Sequence, residues 1–131
     1  MAVKSIKFEA SCVKTLSAVE AEPTRSNQHE FNGVSQLKSI FGEVRREDMK
    51  ASFSERGSDE MHQSFLTWYD AREKHPTRSE FRLYFKSNAV MDVAKEGDNI
   101  VIGFDKNGNI HCELIPQGSN SHRRTNGWEP G

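Results

Sequence analysis

The sequence predicts a mostly-β domain that closes, or partly closes, into a barrel of six or seven short strands with two short helices. Three observations carry this. The N-terminal segment alternates, with Ile6, Phe8, Ala10 and Cys12 on one side and Lys7, Glu9 and Ser11 on the other, the period of a half-buried strand. Two apolar runs, residues 99–104 and 109–115, flank Asp105-Lys-Asn107-Gly108, and an Asn-Gly pair tolerates the positive φ that a tight hairpin turn demands. The remaining apolar runs are short and separated by turn residues, and no internal repeat is visible.

The elements follow in order. Residues 18–32 lose the alternation and read as a long polar loop. Val34, Leu37, Ile40 and Phe41 then recur at helical spacing, with Asn32 as N-cap and Gly42 just past the end. Met49, Ala51 and Phe53 alternate again, and residues 55–60, with Gly57 among them, form a turn. Phe65 to Tyr69 is a short apolar strand, followed by a charged turn containing Pro76 and a further strand, residues 80–86. A second short helix spans about residues 88–95, capped by Ser87 and stopped by Gly97. Phe65, Trp68, Leu83, Phe85, Ile100, Ile102 and Phe104 read as core. Val34, Leu37 and Phe41, with Val90, Met91 and Val93, read as helical plugs at the barrel ends. Residues 1–117 form one domain on this reading, and 118–131, polar and glycine-rich, a disordered tail.

Composition narrows the function classes. The chain has 131 residues, the size of one domain with one modest core. Its 18 Lys+Arg against 19 Asp+Glu, a net charge of −1, exclude a generally basic nucleic-acid coat protein but leave room for a local basic face. Cys12 and Cys112 lie far apart with no CxxC, so they read as buried thiols rather than a disulfide framework. No apolar run approaches the roughly 18 residues of a membrane span, and no signal-peptide core is visible, so a cytoplasmic protein without a membrane partner is expected.

The most informative segment is His75-Pro-Thr-Arg78-Ser-Glu80-Phe81-Arg82-Leu83-Tyr84-Phe85-Lys86. Strand parity puts Phe81, Leu83 and Phe85 on the core side and Arg78, Glu80, Arg82, Tyr84 and Lys86 in a row on the other, with a rise of about 6.6 Å per residue pair. Such a row carries the chemistry for reading DNA. A guanidinium fork donates to O6 and N7 of guanine, a carboxylate accepts from N4 of cytosine, and Lys86 and Tyr84 suit phosphate. A carboxylate between two arginines also holds their forks in orientation. The competing reading is a solvated strand face with weak cross-strand ion pairs. A second segment, Ser26-Asn27-Gln28-His29-Glu30-Phe31-Asn32-Gly33, gathers amide and imidazole groups that suit adenine, guanine N7 or phosphate. Arg25 beside it, and Lys74 and His75 on the basic turn, suit phosphate. An ordinary loop before a helix cap is the alternative there.

Taken together, Asn27-Gln-His-Glu-Phe-Asn-Gly33, Trp68-Tyr-Asp-Ala-Arg72 and the segment from His75 to Phe85 resemble the N-terminal effector domain of EcoRII-type restriction endonucleases. Gly97-Asp-Asn-Ile-Val-Ile-Gly and Asn107-Gly fit as well, so the resemblance covers about residues 7–118. It implies a B3-like DNA-binding pseudobarrel of about seven strands with two short helices, a class shared with plant transcription-factor DNA-binding domains. It also implies two arms that enter the major groove, Arg78, Glu80 and Arg82 on one and Gln28 and His29 on the other. The implied partner is double-stranded DNA carrying a short, GC-flanked, near-palindromic site. In EcoRII-type enzymes this domain controls a separate nuclease domain, and the resemblance therefore implies a separate nuclease domain or polypeptide as a further partner.

Catalysis has weaker support. Asp48-Met-Lys50 is a formal acid-x-Lys match for a small Mg²⁺-dependent DNA endonuclease, with Glu30 or Glu43 as partner acid, and this is the alternative reading. His111, Cys112 and Glu113 alternate across a strand and cannot converge on one metal. No cofactor, metal site or catalytic residue is therefore assigned, and a protein-interaction barrel remains a third reading.

Overall fold

The computed structural model describes residues 8–21, 30–31, 34–58, 60–70, 74, 80–86, 88–120, 122–125 and 127–130. The strands are β1 Ala10–Thr15, β2 Glu30–Phe31, β3 Arg46–Glu55, β4 Met61–Asp70, β5 Phe81–Phe85, β6 Asn99–Phe104, β7 Ile110–Ile115 and β8 Glu129–Pro130. They form one eight-stranded sheet in the order β2-β5-β4-β3-β7-β6-β1-β8. All neighbours are antiparallel except β3 and β7. The sheet curls into a half-barrel and the protein is mostly β. Helical turns are short: α1 Ala18–Ala21, a 3-10 turn Val34–Leu37 running into α2 Lys38–Phe41, and α3 Ala89–Asp92.

Alternation decides which face each strand buries. Phe31, Phe53, Leu66, Trp68, Leu83, Phe85, Ile100, Ile102, Cys112 and Leu114 turn to the inner side, each at most 1% exposed. Leu37, Phe41, Val90 and Met91 close this core from the helical turns, so the plugging residues expected there are buried, with one exception. Val93 is 56% exposed, and Ala94 takes its place against the core. The reason is helical spacing: α3 is capped by Asn88, whose side chain accepts from Met91 N, and positions 90, 91 and 94 share the face toward the core while 93 falls off it. Ring packing ties helix to sheet. Phe41 lies 5.4 Å from Trp68 and Trp68 stacks on Phe81 at 4.9 Å, while the Trp68 indole donates to the carbonyl of Gly42 at 3.0 Å.

Several expectations are corrected in detail. β1 begins at Ala10, so Phe8 does not share the inner face with Cys12. It packs on the outer side with Val13, Val101 and Ile115 in a second small cluster. The polar stretch 18–32 contains α1 and β2, both built on few residues. β4 is ten residues long rather than five, and its parity around the buried Leu66 and Trp68 puts Phe65 on the outer face. The β6–β7 hairpin forms, but only Gly108 of its Asn-Gly pair has positive φ, at 81°. Asp105 explains this: its carboxylate accepts from Asn107 N and Asn109 N, and its carbonyl from Gly108 N, so the side chain organises the turn.

The largest correction concerns the C-terminal stretch, expected as disordered. Trp128 is 3% exposed and meets Phe31 edge-on at 5.9 Å, and β8 pairs with β1. Asn99, fully buried, accepts from Arg123 N at 2.8 Å and donates to Arg123 O at 2.7 Å. Thr15 and Thr125 exchange hydrogen bonds between backbone N–H and side-chain hydroxyl, both 2.8 Å. A buried amide substitutes for a strand partner and pins a chain segment that composition alone marks as loose. No helix among the described residues is long and apolar enough to cross a membrane.

Candidate nucleic-acid interface

On β5 the parity places Leu83 and Phe85 inside and Arg82 and Tyr84 outside, with Lys86 exposed at the strand's end. Register builds the surrounding face. Arg82 lies opposite Tyr69 of β4, Tyr84 opposite Thr67 of β4 on one side and Glu30 of β2 on the other. Phe65 lies opposite Lys50 of β3, and the Lys86 ammonium sits 5.2 Å above the Phe65 ring. The outer side of β2, β5, β4 and β3 is thus one surface bearing Arg82, Lys86 and Lys50 among half-exposed aromatic rings.

Arg82 is its most organised member. Its Nε and Nη2 donate to one oxygen of Glu80 at 2.9 and 2.6 Å, and its Nη1 lies 3.7 Å from the Glu30 carboxylate. Glu80 is fixed in turn, because its backbone N–H donates at 2.7 Å to the carboxylate of Asp70, the last residue of β4. The Tyr69 hydroxyl, reaching across β5, donates to the other oxygen of Glu30. The Arg45 guanidinium, paired with Glu47, lies 5.6 Å from the Tyr69 ring centre. Burial and the Glu30 carboxylate raise the Tyr69 hydroxyl above the usual phenol range, and the Glu80 hydrogen bonds raise Arg82. Arg82 is 43% exposed along its side chain, so the Glu80 pair adds at most about 1 kcal/mol of stability. What the pair sets is direction. Glu80 occupies the Nε–Nη2 edge, and Glu30 flanks Nη1.

Of the expected base-reading residues, Glu80 and Arg82 come together as an oriented pair. Arg78, Gln28 and His29 lie outside the described residues, as do Arg25 and His75. Among the expected phosphate contacts, Tyr84, 38% exposed, and Lys86 share the face with Arg82, and Lys74 is exposed in a turn. Sequence reasoning assigned no role in DNA reading to Glu30, Tyr69, Arg45 or Lys50. Tyr69 was findable, because a residue next to a core tryptophan in a strand must face outward. Glu30 was not, because a two-residue edge strand leaves no periodicity to read.

The form of the catalytic alternative that uses Glu30 as partner acid is not brought together in this geometry. Asp48 and Lys50 are exposed on β3, where Asp48 has φ 51° at an irregularity between Arg46 and Met49. Glu30 lies three strands away, about 14 Å at ordinary strand spacing, and is engaged by Tyr69 and Arg82. Among the described residues no three of His, Cys, Asp and Glu are grouped to hold a metal ion. Cys112 points into the core, where burial raises its thiol far above the usual range. His111 turns outward to Asp105 at 3.0 Å, and Glu113 is held by both Nε and Nη2 of Arg56. No family model matches this chain, and no curated protein does.

Proposed function

We propose that the chain is a sequence-specific double-stranded DNA-binding module of the B3-like pseudobarrel type, the recognition domain of a restriction system. It acts in the cytoplasm, with cleavage supplied by a separate nuclease domain or polypeptide. The observation that carries this reading is the orientation of Arg82. A guanidinium on an outward strand face, bonded through Nε and Nη2 to Glu80 and flanked at Nη1 by Glu30, is an oriented donor group of the kind that matches guanine O6 and N7. Lys86 and Lys50 on the same face offer phosphate contacts that fix register without reading sequence. Near-zero net charge fits as well, since it keeps sequence-independent attraction weak and leaves affinity to the few oriented contacts. The resemblance to EcoRII-type effector domains supports the same reading from the sequence side.

The test is a mobility-shift series on duplexes selected from a random pool, run against an unselected duplex over a range of salt. The proposal predicts enrichment of one short site and a log-affinity that falls linearly with log salt. A plasmid-nicking assay with Mg²⁺ or EDTA accompanies it and should show no cleavage by this chain. Failure to enrich any duplex would refute the proposal, and Mg²⁺-dependent nicking would revive the Asp48–Lys50 alternative.

A further inference from the structure

Glu30 belongs to one of the two sequence segments singled out for DNA reading and lies against a residue of the other. It follows Gln28 and His29 in the chain, and its carboxylate lies against Arg82, which follows Arg78 and Glu80. Its two oxygens are divided: one accepts from the Tyr69 hydroxyl and the other faces Arg82 Nη1 at 3.7 Å. The side chain of Glu30 is only 16% exposed, against 41% for Glu80, so the more buried of the two carboxylates is the one contributed from across the strand.

We propose that Glu30 is a positioning residue and specificity determinant for Arg82, acting on duplex DNA through that guanidinium rather than by touching DNA itself. The inference rests on the duplex-reading function proposed above. The physical argument concerns what an arginine does beside a polyanion. An unrestrained guanidinium finds phosphate before it finds a base edge, because phosphates are more numerous and closer to the surface. Glu80 contacts Nε and Nη2 through one oxygen and leaves Nη1 to Glu30. Glu30 places a second negative charge on the opposite flank, fixed by Tyr69, so the fork is held from both sides and phosphate approaching that flank is repelled. The arrangement lowers affinity for every duplex and lowers it less for the one whose base edge meets the fork, which is how repulsion creates discrimination. It also couples the two segments, since one carries the carboxylate that aims the arginine of the other.

The experiment uses the full chain and two probes, a duplex that the wild-type chain selects from a random pool and an unselected duplex of equal length. Glu30→Gln preserves side-chain length and an acceptor for Tyr69 while removing the charge. It should lower the ratio of selected to unselected affinity about tenfold and steepen the salt slope on the unselected duplex by about 0.9, one added phosphate contact. Glu30→Asp, which retains the charge, should restore most of the ratio, and equal urea midpoints for the three proteins would separate positioning from folding. A readout without DNA checks the geometry. The chain has two tyrosines, so in a Tyr84→Phe background an absorbance titration follows Tyr69 alone, and Glu30→Gln should move its pKa down towards that of free phenol. An unchanged ratio in a variant whose Tyr69 titration has moved overturns the proposal, and so does an unmoved titration. A wild-type chain that fails to discriminate at all overturns the duplex-reading function instead, and this inference falls with it.

Discussion

Trp128→Ala should destabilise the fold by about 4 kcal/mol. The side chain is 3% exposed and lies edge-on to Phe31 at 5.9 Å. A buried indole removes roughly 150–250 Å² from water, which at about 25 cal/mol per Å² is about 4–6 kcal/mol. Measured aromatic-to-alanine changes in cores cost about 3–5 kcal/mol, and the overlap of the two ranges sets the expectation. A domain of this size has only about 5–15 kcal/mol of stability in total, so the loss is large. Urea unfolding followed by circular dichroism is the assay. At a slope of about 2 kcal/mol per M the midpoint should fall by about 2 M. Trp128→Phe, which keeps a ring against Phe31, should recover part of it. The effect reaches the proposed interface, because Phe31 follows Glu30 in the two-residue strand β2. A midpoint within about 0.3 M of wild type, well inside the shift expected from that slope, would show that the C-terminal stretch is not packed and would remove the support assigned here to β2.

Three further outcomes follow from particular contacts. Arg56→Ala leaves Glu113, 1% exposed, as a buried carboxylate without its forked partner, and should cost about 3–5 kcal/mol in the same urea assay. The Asp105 carboxyl is held at about 2, against 3.8 ordinarily, first by the His111 hydrogen bond and then by Asn109 N–H. A depressed folded-state pKa stabilises above the unfolded value, so this contribution is complete above about pH 4 and is lost as pH falls towards 2. Acid unfolding of Asp105→Asn should accordingly be flatter across that window, and a carboxyl NMR titration of the wild type should give the low value directly. Lys86→Ala should weaken binding to all duplexes alike and reduce the salt slope by about 0.9, as read by mobility shift.

The parts of the fold that were legible in the sequence are those with a strong local period. β5 and the β6–β7 hairpin were readable because alternation and an Asn-Gly pair act within a few residues, and the 3-10 turn with α2 because Val34, Leu37 and Phe41 repeat at helical spacing. The strand at the N-terminus was misplaced because Phe8 satisfies its burial on the outer face, against Val13, Val101 and Ile115, which no pattern within one strand reveals. The packed C-terminus was illegible for a similar reason. Its order comes from Asn99, Thr15 and Phe31, residues from 24 to 110 positions away in sequence for its hydrogen bonds, and its own composition is that of a tail. At the candidate interface the sequence showed the row on β5 but not its neighbours. Glu30 and Tyr69 join it only once the strand order β2-β5-β4 sets them on either side of Arg82.

The central claim is that Arg82 reads a base rather than a phosphate, and selection of duplexes from a random pool by wild type and by Arg82→Ala tests it most directly. The account predicts that the variant selects the same site with one base pair no longer specified, a loss of about 1–3 kcal/mol of discrimination at that position and little change on random duplex. Equal losses on selected and random duplex would contradict it.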